Sequence, residues 1–157
     1  MEDDIMPLYE ITTARGYLNQ STKAEIANHI TDIHCRLTGA PDEFVNVVFR
    51  DYDDCFVACR PEDRSFVMGR IRHGRSSAIR QTILRELANM WVRVTGQTEA
   101  ELLVALSEVD PAMVVEAGRF MPEPGREEEW FAEHPPRHLA THDCPKQPVA
   151  ASCPDVS

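Results

Sequence analysis

The sequence predicts an α/β fold (α+β under some schemes) made of two tandem βαβ units. These build one four-stranded sheet with both helices on one face. Three observations carry that reading. KAEIANHITDIHCRLTGAPDEFVNVVF, Lys23 to Phe49, aligns without a gap on RQTILRELANMWVRVTGQTEAELLVAL, Arg80 to Leu106. Each copy has apolar residues at helical spacing and then a glycine. Each is preceded and followed by a short strand-like run.

The elements follow in chain order. Residues 1–6, MEDDIM, form an extension ahead of Pro7. Leu8 to Thr13 reads as the first strand. Ser21 is the candidate N-cap of a helix whose apolar stripe is Ile26, Ile30, Ile33 and Leu37. Gly39 supplies the stop and Phe44 to Phe49 the returning strand, so the first unit spans about 7–52. The second spans about 64–108. It has a strand from Ser65 to Arg72, a cap at Ser76, a stripe of Ile79, Ile83, Leu87 and Met90, a stop at Gly96, and a strand from Leu102 to Leu106. A segment over 109–131 completes a domain of 7–131, with Trp130-Phe131 as an aromatic anchor on the domain or a neighbour. Residues 132–157 are Pro-rich and read as a disordered tail.

Composition sets limits on function. The chain has 157 residues, 43% of them hydrophobic, enough for one domain with a core. A net charge of -10 argues against nucleic acid or an anionic membrane as partner. No apolar run reaches the roughly 18 residues of a membrane span, and the acidic N-terminus is unlike a signal peptide. Five cysteines without a C-x-x-C pair make a poor disulfide framework, so a cytoplasmic chain with free thiols is expected. Cys35 reads as a core residue. A sheet with helices on one side must cover its other face, usually with copies of itself, so self-association is expected.

Few groups could carry chemistry. RIRHGRSSAIR gathers Arg70, Arg72, Arg75 and Arg80 with His73 at a strand-to-helix junction. Arg72 and Arg75 beside a helix N-terminus could hold a carboxylate, or form a solvated basic turn. His34 lies on or beside the first apolar stripe, as a core histidine or a catalytic one. Glu116, in PAMVVEAGRF after the last strand, is a surface residue or, if buried, a group to activate water. His134, His138, His142 and Cys144 invite a metal reading, but Pro135-Pro136 interrupts any helix carrying them, so no metal site and no cofactor are expected. Pro7 inside a chain is a backbone device. At a free N-terminus its nitrogen is a secondary amine that exchanges protons.

MPLYEI, ITDIHCRLTG, RHGRS and VVEAGRFMPEPGREEEWF together resemble the tautomerase superfamily, and within it the cis-3-chloroacrylic acid dehalogenase group, from Met6 to about Phe131. The resemblance implies tandem βαβ units, a homotrimer and chemistry on small unsaturated or enol carboxylates. It assigns Pro7 as the amino-terminal acid/base, Arg72, Arg75 and His34 as carboxylate-binding and polarising groups, and Glu116 as the group that activates water. Two features depart from the family. Ala105 stands where its dehalogenases carry a tyrosine, which removes a hydrogen bond from the water-handling half of the site. Residues 1–6 precede Pro7, and while they remain its nitrogen is a tertiary amide. The expected function is therefore a tautomerase-like enzyme, tautomerising, hydrating or dehalogenating. The alternative is a trimer with a blocked proline that binds carboxylates or hydrates them weakly. An unrelated acidic α/β interaction module is the third reading.

Overall fold

The computed structural model describes residues 7–123 and 125–135. The chain runs through β1 (Leu8–Ala14), α1 (Gln20–Thr38), β2 (Asn46–Tyr52), β3 (Phe56–Val57), β4 (Arg60–Pro61), β5 (Ser65–Arg72), α2 (Ser77–Thr95), β6 (Leu102–Val109), β7 (Val115–Glu116), β8 (Arg119–Phe120) and α3 (Glu127–Glu133). The main sheet has the order β2-β1-β5-β6. β1 and β2 are parallel, as are β5 and β6, and the two units meet antiparallel along β1 and β5. The tandem βαβ reading therefore holds, with the two units head to tail across the middle of the sheet.

Alternation along the strands decides the two faces. Tyr9, Ile11, Val67 and Ile71 point to one side and are fully buried. They meet Ile26, Ile30 and Ile33 of α1 and Ile83, Leu87, Met90 and Trp91 of α2 in one core cluster. The other side of the sheet carries Val48, Met68 and Leu103, which are 39%, 43% and 39% exposed. It also carries Glu10, which accepts from Arg50 at 2.9 Å and Arg70 at 2.7 Å. The Arg70 guanidinium, aided by Arg50 and opposed by burial, holds the Glu10 carboxyl below its usual range. The open apolar face expected from one-sided helices is present.

Local chemistry explains the element ends. Gly39 and Gly96 terminate the two helices in the left-handed region at φ 80° and 76°, where a side chain would be strained. Ser76 caps α2 as expected, accepting from the Ile79 amide. The cap of α1 is Asn19, not Ser21: the Asn19 Oδ1 accepts from the Thr22 amide at 2.8 Å, which places Ser21 inside the first turn. β2 begins at Asn46 rather than Phe44, because Asp42–Phe44 closes a 3₁₀ turn behind Pro41. The turn directs the Phe44 ring towards Phe131, 6.3 Å away between centroids. Trp130 donates its indole N–H to the Phe120 carbonyl, so the aromatic anchor docks on its own domain. α3 runs to Glu133, so the boundary drawn at 131 falls inside that helix. Cys35 is half-buried at the edge of the core. The metal candidates His138, His142 and Cys144 lie outside the described residues, and His134 Nδ1 sits 3.0 Å from the Trp130 carbonyl oxygen. Among the described residues, no helix is long and apolar enough to cross a membrane.

Candidate functional site

The topology brings distant parts of the sequence to one end of the sheet. Pro7 precedes β1 there, and β2 starts there because Leu8 lies opposite Asn46. β5 runs the other way, so its last residue, Arg72, ends there, opposite Val109 of β6. α1 returns antiparallel to β1, which delivers its C-terminal half, with His34 and Thr38, to the same end. The β5–α2 turn adds Arg75.

The basic cluster RIRHGRSSAIR divides at this end. Arg70 turns to the open face and Glu10. Arg80 pairs with Glu108 at 2.6 Å, and exposed His73 approaches the same carboxylate at 3.5 Å. Arg72 and Arg75 alone turn inward, to 3% and 5% exposure. Arg75 Nη1 donates to the Thr38 carbonyl at 3.2 Å, and the Thr38 hydroxyl donates to the His34 carbonyl at 2.7 Å. One short path thus ties Arg75 to the C-terminal turn of α1. His34 is fully buried, and its Nδ1 lies 2.8 Å from the Tyr9 hydroxyl.

Pro7 is buried, and its carbonyl accepts the Asn46 amide at 3.0 Å. The Asn46 side chain donates to Glu116 Oε1 at 3.3 Å and to the Phe44 carbonyl at 2.9 Å. Asn46 therefore bridges the proline to a glutamate 70 residues further along the chain than itself. Glu116 lies in β7, half of a small hairpin with β8 rather than a plain surface segment. Its Oε2 is buried and has no hydrogen-bond partner among the described residues. A buried carboxylate oxygen in that state is placed to accept a hydrogen bond from a water or a ligand.

Three residues of this end escaped the sequence reading. Asn46 and Tyr9 sit in strands and look like ordinary strand residues. Glu127 stands in a run of three glutamates, Glu127-Glu128-Glu129, that gives no sign of burial, but it is buried, and its Oε1 lies 2.5 Å from Arg72 Nη1. The approach is close but poorly aligned for a linear hydrogen bond. Burial works to raise the Glu127 carboxyl. The backbone N–H groups of Glu127 and Gly125, with the Arg72 guanidinium, outweigh it and hold the carboxyl below its usual range. The register also places Ala105 beside Met68 on the open face of the sheet. A surface cavity of about 300 Å³ lies at the opposite end, lined by Ala14, Tyr52, Ser65 and Gln97, and contains none of these groups.

The family profile described as "Putative oxalocrotonate tautomerase enzyme" (Tautomerase_3) matches residues 6–134. No curated protein matches the chain. The crystal structure of native Ps01740 is 33% identical, with a TM-score of 0.68 over 69% of this chain and 99% of that one. N1, a member of the cis-3-chloroacrylic acid dehalogenase family, is 29% identical, with a TM-score of 0.77 over 82% and 92%. A fused 4-OT wild-type symmetric trimer, 17% identical with a TM-score of 0.67 over 73% and 94%, shares the fold.

Proposed function

The chain belongs to the tautomerase superfamily, and from that premise we propose that it transfers protons on small unsaturated or enol carboxylates, with Pro7 as acid/base. The observation that carries the reading is the linked pair at the end of the sheet. Asn46 joins Pro7 to Glu116, and Glu116 keeps one buried oxygen without a described partner. Two buried guanidiniums, Arg72 and Arg75, stand at the same end and suit an anion.

The roles follow from these groups. Arg72 and Arg75 bind the substrate carboxylate. His34, its Nδ1 hydrogen-bonded with the Tyr9 hydroxyl, donates from Nε2 to a substrate oxygen in the tautomer that carries the proton there. In the printed sequence Met6 precedes Pro7, so the proline nitrogen is an amide until residues 1–6 are removed. Once exposed it is a secondary amine. A secondary amine can both take up and give a proton, as the acid/base role requires. In tautomerisation it takes the enol O–H proton and returns a proton to the substrate carbon. In hydration Glu116 takes a proton from water, the hydroxide oxygen bonds to the β-carbon, and the protonated proline delivers its proton to the α-carbon. A halide on the β-carbon would leave after that addition. The resembled dehalogenases carry a tyrosine where this chain has Ala105, on the open face of the sheet, and the missing hydroxyl favours proton transfer between substrate atoms over dehalogenation. By analogy with the fused 4-OT trimer, the open face with Val48, Met68 and Leu103 is covered in a homotrimer.

The test compares protein beginning at Pro7 with protein beginning at Met1, using phenylenolpyruvate and 3-haloacrylates as substrates. Turnover is expected only with Pro7 free. Arg75→Ala is expected to abolish it, and Glu116→Gln to remove hydration while sparing tautomerisation. Inactivity of the Pro7-first protein on both substrate classes overturns the enzyme reading. Carboxylate binding by the Met1-first chain without turnover favours the alternative, a carboxylate-binding trimer with a blocked proline.

A further inference from the structure

The acid run Glu127-Glu128-Glu129 divides in the fold. Glu128 and Glu129 are exposed, whereas the Glu127 side chain is 5% exposed and meets an Arg72 side chain that is 4% exposed. Long charged side chains are seldom buried this far unless paired, and this pair joins the C-terminal helix to the end of β5. Its placement is not a casual surface encounter. α3 is held separately by the Trp130 indole on the Phe120 carbonyl and by Phe131 against Phe44. Glu127 opens that helix, so the helix delivers its carboxylate to Arg72.

We infer that Glu127 is a specificity-determining residue: a carboxylate of the chain itself, seated on Arg72, that reserves the site for monocarboxylates and disfavours dicarboxylates. The inference rests on the carboxylate reading of the site and deepens it. Arg75 is the second buried guanidinium at this end, and in this reading it takes the single substrate carboxylate while Glu127 sits on Arg72. A second substrate carboxylate would have to share Arg72 with Glu127. Like charges crowded in a water-poor site repel strongly, and that repulsion is how a site rejects a wrong ligand that its attractive groups would accept.

The experiment measures but-2-ynoate and acetylenedicarboxylate, which differ by exchange of a methyl for a carboxylate. Affinity is read by calorimetry on the full chain and turnover on the Pro7-first protein. The wild type is expected to favour the monocarboxylate. Glu127→Gln and Glu127→Ala each remove the resident charge and are expected to shift the preference by ~10-fold or more towards the dicarboxylate. Glu127→Asp keeps the charge and is expected to retain the wild-type preference. A ratio unchanged in either neutral variant, with folding verified by thermal unfolding, overturns the inference. An equal loss for both ligands does so too, since it indicates a merely structural pair. Arg75→Ala separates this from the broader reading. If it leaves binding of both ligands intact, the carboxylate site itself fails. If it abolishes binding while Glu127→Gln leaves the ratio unmoved, only the role of Glu127 fails.

Discussion

Replacing Gly69 by alanine strikes the core and the candidate site at one point. Gly69 lies mid-β5 with Tyr9 beside it on β1 and Leu106 beside it on β6. A Cβ there would stand 2.5 Å from Leu106 Cδ2 and 2.7 Å from Tyr9 Cε1, where ordinary contact begins near 3.4 Å. The Leu106 methyl is the far end of a flexible, half-buried side chain and can rotate away. The Tyr9 ring cannot: it is fully buried, and its hydroxyl sits 2.8 Å from His34 Nδ1. The ring must withdraw by about 0.7 Å, which loosens that hydrogen bond and strains the packing. Overpacking of this kind costs about 1–3 kcal/mol. Alanine recovers roughly 0.5 kcal/mol of glycine's backbone entropy in a strand. The net loss is about 0.5–2.5 kcal/mol, a fall of roughly 2–10 °C in Tm for a domain of this size. Differential scanning calorimetry at one fixed protein concentration reads it, because self-association makes Tm concentration-dependent. Affinity for a small carboxylate should fall in the same variant through the displaced Tyr9–His34 pair. An unchanged or higher Tm would refute the idea that Gly69 exists to admit the Tyr9 ring.

Three further outcomes are expected. Tyr9→Phe removes the phenol from His34 Nδ1 and costs about 1–2 kcal/mol in denaturant unfolding, with lower turnover where activity is present. Asn46→Ala removes the donor to Glu116 Oε1 and should lower the kcat for hydration by ~10-fold while changing tautomerisation less; equal effects on both would argue against Asn46 positioning Glu116. The Glu127 carboxyl is held below its ordinary value of 4.5, so its contribution to stability is complete above that pH and is lost as the pH falls through the lower folded-state value. Acid unfolding followed by circular dichroism should therefore be less steep in Glu127→Gln than in wild type.

Much of this architecture was legible because it depends on local rules. A 27-residue gapless repeat, helical spacing and paired Thr-Gly stops mark two equivalent units whatever surrounds them. Gly39 and Gly96 act through their own backbone freedom, and Ser76 acts on an amide three residues away. Asn19 was missed in favour of Ser21 because two good capping residues stood two positions apart, and only the backbone path distinguishes them. The hairpins Phe56–Pro61 and Val115–Phe120 were missed because two-residue strands leave almost no periodicity.

The candidate site divides along the same line. Pro7, His34, Arg72, Arg75 and Glu116 were named from motif resemblance, and the topology gathers them at one end of the sheet. Position along the chain set Arg72 and Arg75 beside the helix N-terminus but could not show that these two turn inward while Arg70 and Arg80 pair with Glu10 and Glu108. All four are identical side chains within eleven residues, and their fates depend on which face each reaches and which carboxylate waits there.

The sequence by itself determined the repeat, the order of the four main strands and two long helices, the one-sided sheet and the family motifs, because these arise from neighbours along the chain. Only the tertiary structure decided that Glu127 leaves the acid run to sit on Arg72, that Asn46 joins Pro7 to Glu116, and that Tyr9 meets His34. Those pairs span 25 to 70 residues. Burial and charge act through space, so a glutamate's neighbours in sequence say little about the water it has lost or the guanidinium it has gained.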